Sequence, residues 1–120
     1  MLQLSANTRY WLYRHPTDMR KGFDSLCGIV SNQMQQSALS GDVFVFINRR
    51  RTHVKLLIWE GDGLALYYKR LEKGAYERPL QGEDCSINIS VQQLMLMLHG
   101  ISLKQVKYHR RYQHSERKCE

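Results

Sequence analysis

Residues 43–71, VFVFINRRRTHVKLLIWEGDGLALYYKRL, decide the fold. They read as three consecutive β-strands joined by two tight connections. Val43-Phe44-Val45-Phe46-Ile47 is a run of β-branched and aromatic residues, long enough for a strand and too short for a helix. Residues 48–52, NRRRT, form a polar tip, and residues 53–60, HVKLLIWE, make the second strand. Gly61-Asp62-Gly63 is the strongest turn signal in the chain. Its second glycine is expected in the left-handed conformation of a hairpin with a bulge. Residues 64–71 return as the third strand. In the middle strand Val54, Leu56 and Ile58 point one way, with Leu57 and Trp59 on the other face. A strand apolar on both faces belongs in the centre of a sheet, covered twice. The meander holds Arg49, Arg50 and Arg51 out on one tip, and Lys69 and Arg70 with Lys73 at the far end of the third strand.

Working outward, residues 9–13, RYWLY, read as a short aromatic strand stopped by His15-Pro16. Thr17 or Asp18 is placed to cap a helix. Its apolar stripe is Met19, Phe23, Leu26, Val30 and Met34, ending at about Gln36. Gly22 and Gly28 weaken that helix by up to about 1 kcal/mol each, so it depends on packing against the sheet. Residues 35–42 are a polar loop. Beyond the meander, residues 72–74 mark a turn, residues 75–79 a short edge segment, and Ile87-Asn88-Ile89 a brief strand. Ser90 followed by Gln93 has the spacing of a capping box. Val91, Leu94, Met95 and Leu98 line one face of the helix that follows, with Gly100 as its stop. Residues 104–120 are polar and charged without a core stripe, the pattern of a frayed helix or a flexible arm. The expected fold class is therefore α+β: an antiparallel β-meander of three or more strands packed with two or more helices. Residues 1–103 make a single domain and residues 104–120 a basic tail.

A chain of 120 residues with 42% apolar content is sized for one domain with one core. No apolar run approaches the roughly 20 residues needed to span a bilayer, and the N-terminus lacks the order of a signal peptide. Cys27, Cys85 and Cys119 are odd in number and widely spaced, which argues against a disulfide framework and for a reducing, cytoplasmic setting. The net charge is +7, from 18 Lys and Arg against 11 Asp and Glu. Residues 104–120 hold six basic and two acidic residues, Arg110 and Arg111 among them. A basic domain with a more basic tail is the electrostatic footprint of a nucleic-acid partner, against the plainer reading of a solvated basic face.

Sites for chemistry are hard to find. Asp18, Asp24, Asp42, Glu60, Asp62 and Glu72 could in principle hold a metal for phosphoryl transfer. Each has an ordinary role instead: Asp18 as a helix cap, Asp62 as a turn former, Glu60 and Glu72 at strand ends. His109, His114 and Cys119 fit no zinc-site spacing. No phosphate-binding loop, dinucleotide fingerprint or serine-nucleophile motif is present. No catalytic residue, cofactor or metal is expected. The basic elements remain. Arg49, Arg50 and Arg51 could clamp phosphates in the fork geometry that guanidinium favours, or simply keep a turn soluble. Lys69, Arg70 and Lys73, beside Tyr67 and Tyr68, would extend a basic and aromatic surface, although one of the two tyrosines is expected to face the core.

Four motifs in fixed order resemble a known family. PTDMRKGFD (residues 16–24), VFVFINRRR (43–51), WEGDG (59–63) and YKRLEKG (68–74) are similar to the accessory TnpB protein of IS66 family insertion elements, the IS66 Orf2-like family. The resemblance covers about residues 5–80. Glu60 stands where the family pattern has Asp. The resemblance implies a small helper encoded beside a separate, larger transposase that carries out strand cutting and joining, and it supplies no catalytic residues. The expected function is that of a non-enzymatic accessory protein for transposition that binds DNA, the transposase, or both. The alternatives are a module that binds only the transposase, and a cryptic metal-dependent nuclease. Expected DNA contacts are Arg49, Arg50, Arg51, Lys69, Arg70, Lys73, Arg110 and Arg111.

Overall fold

A computed structural model describes residues 4–5, 7–77 and 84–99. The strands are β1 (Tyr10–Tyr13), β2 (Val43–Ile47), β3 (His53–Trp59), β4 (Leu64–Arg70) and β5 (Ser86–Ile89). The helices are α1 (Phe23–Asn32), between β1 and β2, and α2 (Val91–Leu98), after β5. One five-stranded sheet runs in the order β4-β3-β2-β1-β5. The α+β class and the antiparallel β2-β3-β4 meander are as expected. The sheet as a whole is mixed, because β1 pairs with β2 in parallel, Tyr10 opposite Val43 and Leu12 opposite Val45. A parallel join needs a crossover, and α1 supplies it. The fifth strand then returns antiparallel to β1, Tyr10 opposite Ile89.

Alternation along the strands gives the sheet two buried faces. Tyr10, Leu12, Val43, Val45, Ile47, Val54 and Leu56 face one way and pack with Leu94, Met97 and Leu98 of α2. Tyr13, Phe44, Phe46 and Leu57 face the other way and pack with Leu26, Val30 and Met34 around α1. All five residues of β2 are buried, as a strand covered on both sides requires. Tyr76 is buried beside the α2 layer, and burial pushes its phenol up to about 12, with Tyr67 adding to the shift.

Several boundaries differ from those the sequence suggests, each for a local reason. The first helix begins at Phe23, with Gly22 as its N-cap and no side-chain cap, rather than near Met19. The carbonyls of Met19 and Lys21 accept from Lys55 Nζ, both at 2.8 Å, instead of entering a helical ladder. Asp18 is spent on a turn, not on a helix cap: its carboxylate accepts from the backbone and guanidinium of Arg20. Phe23 consequently sits at the helix start, 46% exposed, outside the core stripe of Leu26, Val30 and Met34. Trp59 is only partly buried at the end of β3. In the Gly61-Asp62-Gly63 turn the left-handed residue is Gly61, φ +97°, not Gly63. The capping box of α2 forms as read, Ser90 Oγ accepting from Gln93 N and Gln93 Oε1 from Ser90 N. Its buried side holds Leu94, Met97 and Leu98, leaving Met95 exposed. Tyr67 and Tyr68 are both exposed, because β4 is an edge strand. Residues 75–77 form no strand; residues 78–79 and Gly100 lie outside the described residues.

Phe46 and Phe23 separate the two layers experimentally. Phe46→Ala removes a fully buried ring that packs 5.9 Å from Tyr13, and should cost about 3–5 kcal/mol. Phe23→Ala should cost less than about 1 kcal/mol, since the ring is half in solvent. Urea unfolding followed by far-UV circular dichroism measures both.

Candidate nucleic-acid interface

The arginine tip is built, not loose. Asn48 N donates to His53 O, and Arg51 N donates to Asn48 O, closing a tight turn. Arg51 adopts φ +63°, a left-handed conformation that residues other than Gly, Asn and Asp seldom take. The Asn48 side chain holds it there: Oδ1 accepts from the backbone of Thr52 and His53, and Nδ2 lies 3.2 Å from Thr52 Oγ1. Two further bonds staple the segment after β4 onto the tip. Leu71 N donates to Thr52 O and Tyr76 N donates to Arg51 O, at 2.8 and 2.7 Å. The side chains of Arg49, Arg50 and Arg51 are exposed on this frame.

Because β1 and β2 are parallel, the connection leaving β1 arrives at the same end of the sheet as the tip. Thr17 N donates to Ile47 O, joining the two. The segment between Asp18 and Gly22 then folds over the face of β3 and β4, where Lys55 pins it. Lys55 is 7% exposed, and its ammonium is satisfied by the two carbonyls and by the Tyr68 ring, 4.7 Å to the centroid. An unpartnered buried ammonium would be costly, so this arrangement makes the loop and the residue mutually dependent. Arg20 and Lys21 are thereby presented in solvent. Hydrogen bonds from Arg20 hold the Asp18 carboxyl well below the usual carboxylate range.

Basic residues are consequently concentrated at one end of the strand axis. The end bearing the tip also carries Arg20, Lys21, Arg70 and Lys73, all exposed, against Asp18 and Glu72, paired to Arg20 and Arg70, and Glu77 and Asp84. The opposite end holds Asp42, Glu60 and Asp62 with Arg9 beside Asp42. There Asp42 is buried and also accepts from the Trp11 indole at 3.1 Å. The helix α2 ends at the basic end, where Lys69 Nζ donates to Leu98 O at 2.8 Å.

Of the residues expected to meet DNA, the structure brings together Arg49, Arg50, Arg51, Arg70 and Lys73. Lys69 is turned inward and caps the C-terminus of α2, which a cation does favourably. Arg110 and Arg111 lie outside the described residues. The sequence reading missed Arg20, Lys21, His53 and Lys55. Lys55 left a trace: it interrupts the apolar register that Leu57 and Trp59 continue on that face of the strand. Among the described residues, no group of three His, Cys, Asp or Glu side chains is placed to hold a metal ion. Nor is any helix among them long and apolar enough to cross a membrane.

The fold and its basic rim define a small α+β protein built around a two-faced mixed sheet. Its family follows from comparison: the family profile described as IS66 Orf2 like protein matches residues 8–108, and the chain belongs to that family. Uncharacterized protein y4hO of Sinorhizobium fredii (strain NBRC 101917 / NGR234) is 38% identical over 101 residues, 84% of this chain and 87% of the relative. Uncharacterized protein y4jC of the same strain is 28% identical over 107 residues, 89% of this chain and 91% of the relative. No solved structure matches.

Lys55→Met keeps the length of the side chain and removes its donors. Two carbonyls then lose their partner, and stability should fall by about 1–3 kcal/mol. Hydrogen exchange should quicken at the Lys21 amide, which donates to Asp18 O, while the amides of β2 keep their relative order of protection.

Proposed function

We propose that this chain is a non-enzymatic accessory protein for transposition of an insertion element, and that it binds DNA through its basic rim. Membership of the IS66 Orf2-like family supports the link to transposition. The observation that carries the DNA reading is the cluster of exposed cations: a hydrogen-bonded tip with three exposed arginines stands at one end of the sheet, joined there by Arg20, Lys21, Arg70 and Lys73. Guanidinium groups carried on a fixed loop suit bidentate phosphate contacts, because little backbone freedom remains to be lost on binding. Such contacts position a duplex without reading its sequence.

The separate transposase of the element is proposed as the protein partner. Phe23 favours it: a half-exposed aromatic ring two residues after Lys21 gives the rim an apolar margin of the sort that protein contacts use.

Each phosphate contact releases condensed counterions, so the logarithm of affinity for duplex DNA falls with log salt by about 0.9 per contact. Replacing Arg49, Arg50 and Arg51 together by Ala should flatten that slope by roughly two to three units with stability nearly unchanged. Lys69→Ala should leave the slope alone, since that ammonium is engaged with α2. Fluorescence-anisotropy salt titrations of labelled element-end and scrambled duplexes measure both. An unaltered slope in the triple variant would remove the tip from the DNA interface and favour a module that binds only the transposase.

A further inference from the structure

We infer that the rim includes a stacking platform for an unpaired DNA base, formed by Tyr68 with His53 and Arg70; this rests on the rim being a DNA surface. Three observations converge on Tyr68. Tyr68 is 53% exposed on an edge strand, so a side of it is open to solvent. The ring is also held from within: the buried Lys55 ammonium lies 4.7 Å from its centroid, and that ammonium is itself fixed by the Met19 and Lys21 carbonyls. Beside it the His53 ring lies 5.8 Å away at an interplanar angle of 34°, oriented by the polar tip through Thr52 Oγ1 at 2.7 Å. A pre-oriented ring with a solvent-facing side loses little freedom when a base stacks on it.

The charges around it select a nucleic acid. Arg70 is two residues along the same strand and on the same face as Tyr68, directly opposite His53. Lys21 follows the segment pinned over Lys55, and the three arginines of the tip begin four residues before His53. An aromatic face ringed by exposed cations matches a base attached to a phosphate backbone. The ligand class is single-stranded rather than duplex DNA, because the faces of paired bases are already stacked and closed to a side chain. The chemical role that follows is to hold frayed or unpaired strand ends beside the duplex that the arginine tip grips.

The test is the affinity of the full chain for a labelled 20-nucleotide oligothymidylate, an abasic strand of equal length and a 20-base-pair duplex, read by anisotropy. The expected result is that oligothymidylate binds more tightly than the abasic strand. Tyr68→Leu, which keeps strand packing but removes the aromatic face, should then weaken oligothymidylate binding by roughly tenfold. It should change abasic-strand and duplex binding less than about twofold, and Tyr68→Phe should restore the oligothymidylate affinity. Thermal melting of Tyr68→Leu checks that the fold is kept. Equal loss on all three ligands, or no loss on oligothymidylate, would overturn the platform while leaving the rim in place. No salt-dependent binding of any ligand by the unaltered chain would overturn the rim and the platform together.

Discussion

The two central strands of this sheet are apolar on both faces, and most of the architecture follows from covering them. Val43, Val45 and Ile47 of β2 bury to one side while Phe44 and Phe46 bury to the other. Neither set can be left in water without losing about 25 cal/mol for every Å² of apolar surface. One helix must therefore lie on each face, and a chain this short can supply them only by crossing from β1 to β2 through α1 and by closing with α2. With both faces taken, polar and charged groups are driven to the ends of the strands and to the outer edge. The gathering of basic residues at one end is thus an arrangement that the core permits and the loops exploit.

Lys55 is the exception that shapes the basic end. A lysine in the middle of a buried strand requires acceptors, and the chain provides backbone carbonyls rather than a carboxylate. That choice shortens α1 by taking the Met19 and Lys21 carbonyls away from a helical ladder. It also leaves the positive charge uncancelled by a nearby acid, so Lys55 adds to the potential of the rim instead of neutralising it. The same ammonium steadies Tyr68 from beneath. One buried charge in this way ties the loop after β1 to the edge strand.

Much of this was legible in the residues. The meander, its alternation and the capping box of α2 depend on neighbours close in sequence, which periodicity and spacing report directly. The parallel pairing of β1 with β2 was not legible in that way, because it joins residues more than thirty positions apart and looks, locally, like any strand before a helix. The burial of Phe23 was overestimated for a related reason: the helical spacing is correct, but Lys55 removes the first turn that would have carried it inward. At the candidate site, Arg49, Arg50, Arg51, Arg70 and Lys73 were recognisable as exposed cations on turns and strand ends. Lys69 was misread because strand alternation alone does not say that a helix terminus waits for its ammonium. Arg20 and Lys21 were hidden inside a stretch that read as helix.

The central claim is that one pole of the molecule meets DNA and the other does not, and backbone amide shifts test it most directly. Uniformly 15N-labelled protein is titrated with a duplex carrying the element's terminal sequence, at low salt, and shift changes are mapped onto the fold. Binding through the basic rim predicts changes concentrated in residues 17–22, 48–53 and 70–74, with residues 40–42 and 60–63 at the acidic end unmoved. Changes centred on the acidic end, or none at a concentration where the basic tail alone does bind, would contradict it.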